Sequence, residues 1–230
     1  MFNEDGTATD ISPMQNSVTS VTGGLAVSRR AEFGRNGVHF SNLYAGAATG
    51  YYRVDYADNK AFLDGLADGH TLECVVSADE IRNSEAKFFS SHAAGGTGLM
   101  ICNDGGDRGG NYLTFLPNVS ETGASTWRWA MSHVTPENGK YYHILAVYNK
   151  EEQKARIYIN GELAGEADAP GNFHHANAAA RWFGIGCDPN EKNSGEQAWH
   201  GDVIIARVYN TPLTAEDALG LYKAAFGITE

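Results

Sequence analysis

Short segments of alternating apolar and polar residues follow one another from residue 25 to residue 209. A period of two puts one side-chain face on a core and the other toward solvent, which is typical of β-strands. Each segment is closed by Gly, Asn or Asp, the residues that turns favour. Because about a dozen strands in one chain need two sheets, the pattern predicts an all-β fold with two layers. The predicted strands are residues 25–29, 38–41, 51–55, 70–77, 87–91, 98–102, 112–116, 126–132, 141–148, 154–159, 163–166, 182–186 and 203–209.

Turn and helix signals are few. Asn160 and Gly161 separate two of these runs, and both residues tolerate a positive φ, so they predict a tight hairpin turn. Residues 58–66 predict a short helix. Thr214, with Asp217 three residues later, is typical of a helix N-cap, and the apolar face that follows ends at Gly227. The chain is therefore predicted to end in one short amphipathic helix.

The size and composition fit one folded unit. The 230 residues are 42% hydrophobic and 20% charged, which excludes a disordered chain. All-β sandwiches often reach about 200 to 250 residues as a single domain. Since no repeat, low-complexity tract or linker interrupts the sequence, a single domain over residues 1–230 is predicted.

The net charge and the length of the apolar runs each argue against one class of partner. A net charge of −11 repels the phosphates of nucleic acid, so nucleic-acid binding is not expected. The apolar runs are far shorter than the roughly 20 residues of a membrane-spanning helix, so membrane insertion is not expected either.

The first five residues are acidic and no apolar segment follows them, so no secretory signal is predicted within these residues, although a signal removed earlier would leave no trace.

The three cysteines are Cys74, Cys102 and Cys187. They lie in apolar strand-like runs without metal-ligand spacing, which favours buried free thiols. Their odd number leaves at least one unpaired, and a single disulfide stays open as the alternative.

Several blocks of the sequence are similar to a known family. Three blocks resemble the central blocks of laminin G-like, concanavalin A-like jelly-roll domains: HTLECVV (70–76), YHILAVY (142–148) and IYINGE (157–162). Four later blocks resemble the closing strands and helix of that family: WFGIG (182–186), WHGDV (199–203), ARVYN (206–210) and LTAE (213–216). The resemblance implies a two-sheet antiparallel jelly-roll sandwich with one concave sheet and a short C-terminal helix. It also implies a superfamily of lectins, carbohydrate-binding modules, glucanases and adhesive modules, so the fold leaves function open.

The resemblance carries two further expectations. Such domains often lie beside a hydrolase or phosphoesterase domain in a secreted bacterial chain, so the protein is expected to be secreted, periplasmic or on the cell surface, with a neighbouring catalytic domain in a longer chain as one arrangement. Relatives often carry an Asp, a calcium ligand in some of them, where this chain has Ile204, so the resemblance alone does not imply the family's usual calcium site, and calcium stays open as a cofactor.

Catalytic motifs are not evident in the sequence. Glucanases of this superfamily carry Glu-x-Asp-x-x-Glu or a near variant along one strand, because one carboxylate attacks while another donates a proton. The nearest cluster here, Asp79-Glu80 followed by Glu85, lacks strand alternation and is interpreted as a solvated acidic loop. The chain is therefore predicted not to be an enzyme. A glycoside hydrolase whose carboxylates come from different strands is the alternative.

The aromatic segment at residues 126–132 is the main candidate for a ligand site. In a strand, Trp127 and Trp129 share one face, and Arg128 points to the other. If the tryptophans face outward from the concave sheet, two indoles about 7 Å apart can stack on successive sugar rings. If they face the core, Arg128, Tyr112 and His92 are the polar groups expected nearest a ligand. The sequence leaves both orientations open.

The Gly-rich run at residues 103–111 is the candidate for a cation site. Asp104 and Asp107 offer oxygen ligands of the kind that calcium prefers, although the spacing is not that of an EF-hand. The alternative is a flexible hairpin loop whose glycines adopt positive φ.

The function predicted from these observations is a non-catalytic, lectin-like module that binds a glycan or polysaccharide. A protein-interaction or spacer module attached to a hydrolase is the other alternative, beside the glycoside hydrolase.

Overall fold

A computed structural model describes residues 1–56, 59–92, 95–175, 182–189 and 194–229. The strands are β1 (Ser17–Thr22), β2 (Leu25–Arg30), β3 (Arg35–Ser41), β4 (Gly50–Asp55), β5 (Gly69–Ala78), β6 (Ala86–Ser90), β7 (Thr97–Cys102), β8 (Tyr112–Pro117), β9 (Val119–Ser120), β10 (Ala130–Met131), β11 (Tyr142–Asn149), β12 (Lys154–Ile159), β13 (Glu162–Asp168), β14 (Asn172–Phe173), β15 (Trp182–Ile185), β16 (Asp188–Pro189), β17 (Gly195–Glu196) and β18 (His200–Tyr209). The helices are α1 (Lys60–Ala67) and α2 (Ala215–Phe226), with single 3₁₀ turns at Ala31–Phe33 and Gly106–Arg108.

Most of the strands form two seven-stranded sheets. The first sheet has the order β1-β4-β15-β6-β7-β8-β10 and the second the order β13-β12-β11-β5-β18-β3-β2. Every strand pair within the described ranges is antiparallel. The main core lies between the sheets, where Leu99 and Phe115 of the first pack with Leu72 and Ile144 of the second. This architecture confirms the predicted all-β, two-sheet sandwich with a C-terminal helix.

The local signals at the hairpin and at the final helix are confirmed. Asn160 and Gly161 have φ of 52° and 83°, the left-handed values that a tight hairpin turn requires. At the start of α2, the Asp217 backbone N–H donates to Thr214 Oγ1 (3.2 Å), and the Thr214 N–H donates to the Asp217 carboxylate (2.8 Å). Gly227, at φ 64°, ends the helix.

The predicted strand at 126–132 is only partly correct, because the regular ladder is confined to β10. A bridge between Asn118 and Trp127 shows that the register of β8 and β10 continues over the segment. That register sets Arg128 opposite Pro117, and the Arg128 N–H donates to the Pro117 carbonyl (3.1 Å). Two residues paired in this way normally exchange two backbone hydrogen bonds. Proline has no N–H to donate to the Arg128 carbonyl, so the ladder is interrupted there.

One side of the sandwich is closed by the close approach of two edge strands, β10 and β13. A Cβ built on Gly165 of β13 would lie 2.0 Å from the carbonyl oxygen of Met131 in β10, so only glycine fits at this crossing.

The pairing of β13 with its neighbour β12 is irregular, because a bulge shifts the register between Ile157 and Tyr158. Lys154 of β12 lies 2.9 Å from Glu166 of β13.

The cysteines and helices settle two further expectations. Cys74, Cys102 and Cys187 are free and buried, so the prediction of buried thiols is confirmed and the single disulfide is wrong. Within the described ranges, neither helix has the length and apolar character to cross a bilayer.

Candidate functional site

The outer face of the first sheet, turned away from the main core, carries the tryptophans of residues 126–132. Ala130 lies in the main core, so alternation puts Trp127 and Trp129 on the opposite side. There both indoles, half-buried, pack on a small cluster of Met100, Cys102 and Leu116. The tryptophans therefore lie outside the inter-sheet core and keep part of their surface in solvent.

These indoles are part of a row of rings along the edge of the sheet. The ring centroids of Tyr112 and His133 lie 5.0 Å apart. Since the β8–β10 register sets residue 133 opposite residue 112, this pair lies on the same face as the tryptophans. Trp127, Trp129, His133 and Tyr112 are called the aromatic strip below. Alternate residues of a strand are about 7 Å apart, so the strip offers ring surfaces at intervals suited to an extended ligand.

The Gly-rich loop is attached to this strip by Arg108. The Arg108 guanidinium carbon lies 4.5 Å from the centroid of the Trp129 ring, within cation–π distance. Arg108 also forms an ion pair with Asp104 (2.8 Å). These contacts hold the loop beside the indole.

The cation prediction for Asp104 and Asp107 stays a prediction. Asp104 is paired with Arg108, and Asp107 lies in the 3₁₀ turn next to it. Among the residues that the structure describes, three potential metal ligands of the His, Cys, Asp and Glu types come together elsewhere, without Asp104 or Asp107.

His92 connects the strip to a polar cleft on the same face. Its ring centroid lies 4.1 Å from that of Trp127. The His92 backbone N–H donates to Ser90 Oγ (2.9 Å) and to Asp188 Oδ1 (2.9 Å), and Nδ1 lies 3.4 Å from Asp188 Oδ2. The histidine therefore rests against an indole on one side and a carboxylate on the other.

The polar cleft has a volume of about 640 Å³. Its polar walls are Glu85, Lys87, His92, Ser194, Glu196 and Gln197, with Ala45–Ala47 and Gly195 completing the lining. Lys87 is the cross-strand partner of Met100, so it shares the face that the tryptophans cover. The cleft and the aromatic strip therefore form one continuous surface.

Buried charges hold the floor of the cleft. Lys87 Nζ lies 3.5 Å from Asp188 and 3.8 Å from Glu85, and it donates a hydrogen bond to Gln197 Oε1. Gln197 Nε2 in turn donates to Glu85 Oε2 (3.1 Å). These contacts pre-orient the amide of Gln197 and the carboxylate of Glu85, which can bind hydroxyl groups that enter the cleft.

Asp188 is the anionic centre of this network. Its complete burial raises the carboxyl pKa, but the Lys87 charge and the hydrogen bonds from His92 and Ser90 outweigh burial and leave the pKa below its ordinary value. Because the carboxylate is enclosed by these donors, it orients the neighbouring side chains and does not face the cleft. The arrangement therefore presents fixed hydrogen-bonding groups to the cleft.

The structure groups most of the predicted site residues. Trp127, Trp129, Tyr112 and His92 lie on one outer face, where the tryptophans are available for stacking. Arg128 is on the opposite side of its segment, where its guanidinium lies 4.0 Å from the Glu121 carboxylate.

Apart from His92, the residues that line the cleft were not predicted as site residues. Lys87, inside an apolar strand run, is the one sequence signal that could have found them, because a lysine there needs a buried partner. Its partners, Asp188 and Gln197, are far along the chain, so the sequence does not identify them.

Comparison with known proteins supports the fold independently. A laminin G family model described as the concanavalin A-like lectin/glucanases superfamily matches residues 46–218. No curated protein sequence gives a significant match to the chain.

Solved structures share the fold at low sequence identity. The receptor-binding domain of a botulinum neurotoxin C/D mosaic serotype superposes with a TM-score of 0.64 at 12% identity, over 96% of this chain and 49% of that chain. Domain 4 of AbnA, a family GH43 extracellular arabinanase of Geobacillus stearothermophilus solved in complex with arabinotriose, superposes with a TM-score of 0.59 at 14% identity, over 90% of this chain and 88% of that chain. A structure of botulinum neurotoxin type C, a toxin whose cell entry depends on interaction with two ganglioside molecules, superposes with a TM-score of 0.63 at 11% identity. The match covers 97% of this chain and 50% of that chain. The chain thus spans about half the length of the neurotoxin chains.

Proposed function

Because this chain belongs to the laminin G group of the concanavalin A-like lectin/glucanases superfamily, we propose that it is a non-catalytic carbohydrate-binding module. The ligand is a glycan or polysaccharide held on the outer face of the first sheet. The observation that carries the proposal is the continuity of the aromatic strip with the polar cleft, through the contact between His92 and Trp127.

The two halves of this surface match the two kinds of surface on a sugar. The C–H faces of sugar rings are apolar and pack on indoles such as Trp127 and Trp129, whereas hydroxyl groups need fixed donors and acceptors. Glu85 and Gln197 supply these in the cleft, where their hydrogen bond and the Lys87 contact hold them in place. Arg108 adds guanidinium donors next to the Trp129 ring.

Charge and shape restrict the ligand. The cleft offers carboxylates at Glu85 and Glu196 as well as Lys87, whose ammonium is already surrounded by Asp188 and Gln197. Hydroxyl-rich neutral sugars therefore fit the cleft better than polyanionic ones. Because the site is open and wet, a single site binds weakly, and attachment to a multivalent surface raises the effective affinity.

Two of the structures with the same fold are consistent with this proposal: the arabinanase domain was solved with arabinotriose, and the type C neurotoxin interacts with gangliosides. We also propose that the module belongs to a secreted, periplasmic or cell-surface protein, because polysaccharides are found there. In a longer chain it would bring a neighbouring catalytic domain to its substrate.

The test is a glycan array followed by calorimetry on the glycans that bind, with arabinotriose and ganglioside oligosaccharides included. Trp127→Ala and Trp129→Ala are each expected to weaken binding by about tenfold or more, because each removes a stacking surface. Tyr222→Ala is the matched control, since it removes a half-buried ring on α2, away from the first sheet.

Melting temperatures of all variants show whether binding is lost through unfolding. Unchanged affinity in both tryptophan variants would contradict the proposed site, and an array without any bound glycan would contradict the function. Release of reducing sugar from arabinan or β-glucan by the wild-type chain would favour the glycoside hydrolase instead.

A further inference from the structure

Two histidines and an aspartate meet on the outer face of the second sheet. They are His39 of β3, Asp79 directly after β5, and His200 at the start of β18, and they are called the His-Asp-His cluster below. Val38 and Phe40 lie in the main core, so alternation turns His39 outward. The cluster is thus on the sheet opposite the proposed glycan site.

Strand register explains why these residues meet. β18 lies between β3 and β5, and its Asp202 is the cross-strand partner of His39. His200 is two residues before Asp202 and shares its face. On the other side, Gly201 pairs with Ala78, which brings Asp79 beside His200, and the Asp79 N–H donates to the His200 carbonyl (3.2 Å). Three adjacent strands therefore present one ligand group each at the same point.

The distances suit a metal ion. The three ligand atoms lie within 4.8 Å of one another. Asp79 Oδ2 is 3.7 Å from His39 Nε2 and 3.9 Å from His200 Nε2. Zinc bonds of about 2.0 to 2.2 Å in a tetrahedron set neighbouring ligand atoms about 3.3 Å apart, so a small side-chain rotation closes the site. The side chains of His39, Asp79 and His200 are 27%, 45% and 30% exposed, which leaves an ion access from solvent.

The buried carboxylate of Asp202 holds the His39 ring in an orientation that suits metal coordination. Its Nδ1 lies 2.9 Å from Asp202 Oδ1, and an ionised carboxylate only accepts, so Nδ1 carries the proton and the Nε2 lone pair faces the cluster. Asp202 is held by Arg30 (2.8 Å) and by a hydrogen bond from the Tyr141 hydroxyl. Burial and Asp202 raise the pKa of Tyr141, which keeps this hydroxyl a donor. Carboxylate–histidine pairs of this kind accompany metal-bound histidines in proteins.

We propose that the His-Asp-His cluster binds a divalent transition-metal ion, zinc being the best match, with its remaining coordination position open to water or to an oxygen of a ligand. Two imidazoles with one carboxylate select zinc over calcium, which prefers oxygen ligands throughout. The ion would connect β3, β5 and β18. This site is independent of the proposed glycan site, because the two are on different sheets.

The experiment is calorimetric titration of the full chain, without a polyhistidine tag, with zinc chloride. His39→Gln, His200→Gln and Asp79→Asn are each expected to weaken zinc affinity by about tenfold or more, since each removes one of three ligands. His174→Gln is the matched control, because it removes a half-buried histidine outside the cluster. Cobalt(II) provides a second readout, since its visible absorption reports histidine and carboxylate coordination directly.

Circular dichroism and melting temperature identify any variant that fails to fold. Asp79→Asn, the most exposed of the three positions, then carries the test. The proposal would be overturned if the wild-type chain failed to bind zinc or if the cluster variants bound it as tightly as the wild type. Loss of zinc binding in the His174→Gln control would overturn it as well. Because the readouts are metal affinity and cobalt absorption, the result does not depend on whether the chain binds a glycan.

Discussion

The ammonium group of Lys87 lies 3.5 Å from the carboxylate of Asp188, and the two side chains are 1% and 0% exposed. A buried pair of this kind does not have to add stability relative to apolar residues, but removing one partner leaves the other charge without compensation. Since Asp188 also accepts from His92 and Ser90, the pair fixes the floor of the polar cleft.

Lys87→Met is expected to lower the free energy of unfolding by about 3 to 5 kcal/mol, because Asp188 stays buried after losing the neighbouring Lys87 ammonium group. Urea denaturation measures the change. Lys154→Met is the control: Lys154 pairs with Glu166 on the surface, where solvent screens the charges, so its loss is expected to leave the free energy of unfolding almost unchanged. Equal losses in the two variants would show that the Lys87 pair has no special role.

His70 makes stability depend on pH. Its burial lowers the imidazole pKa to about 4, against about 6.5 in an unfolded chain. Nδ1 lies 3.1 Å from the Leu66 carbonyl and Nε2 lies 3.1 Å from Thr97 Oγ1, which are hydrogen bonds of a neutral ring. As the pH falls from 6.5 toward 4, the unfolded chain takes up a proton that the folded chain does not, so stability decreases by about 3 kcal/mol.

The measurement for His70 is the free energy of unfolding at a series of pH values. His70→Asn retains a donor for the Leu66 carbonyl and does not titrate, so its stability is expected to change less over this window than that of the wild type. Parallel curves for the two chains would contradict the assignment.

Two glycines give opposite expectations. Gly161→Ala is expected to destabilise the chain by about 1 to 2 kcal/mol, because φ is 83° and the new Cβ would lie 3.0 Å from Leu219 Cα. Gly220 lies inside α2, and a Cβ added there would point into open space, so Gly220→Ala is expected to stabilise by about 0.5 to 1 kcal/mol. Thermal unfolding distinguishes the two, and shifts of the same sign would contradict the expectation.

The three thiols are expected to be inert in the folded chain. Burial raises the pKa of Cys102 to about 11 and those of Cys74 and Cys187 above their ordinary range. Thiolates, the reactive form, are therefore scarce. Ellman's reagent should detect no thiol in buffer and three per chain in denaturant, and stoichiometric reaction of the folded chain would be the contrary result.

The sequence predicts those parts of the fold that depend on local pattern. The run at 154–159 coincides with β12, and the cap of Thr214 is observed as expected. β1 is not predicted because both of its faces consist mainly of serine and threonine. The hydropathy of the two faces therefore differs too little to show a period of two. The interruption at Pro117 depends on which residue of the next segment lies opposite it, which a single strand does not reveal.

The candidate sites show the same limit more strongly. The alternation at 126–132 correctly groups Trp127 with Trp129, but the choice of face depends on how β8 and β10 meet. Asp79 is interpreted from sequence as a solvated loop residue, whereas strand register places it beside His39 and His200. Sequence patterns indicate which residues share a face; the neighbours that give a face its chemistry come from distant strands.

The edge strand β13 has a consequence for behaviour in concentrated solution. Its outward positions include Glu162, Glu166 and Asp168, and the bulge beside it distorts the row of unpaired backbone groups. A second molecule that added its own β13 here would bring like charges together across a misaligned ladder. Fibril growth by strand addition is therefore disfavoured at this border, even though the same chain displays tryptophans at the border of its other layer.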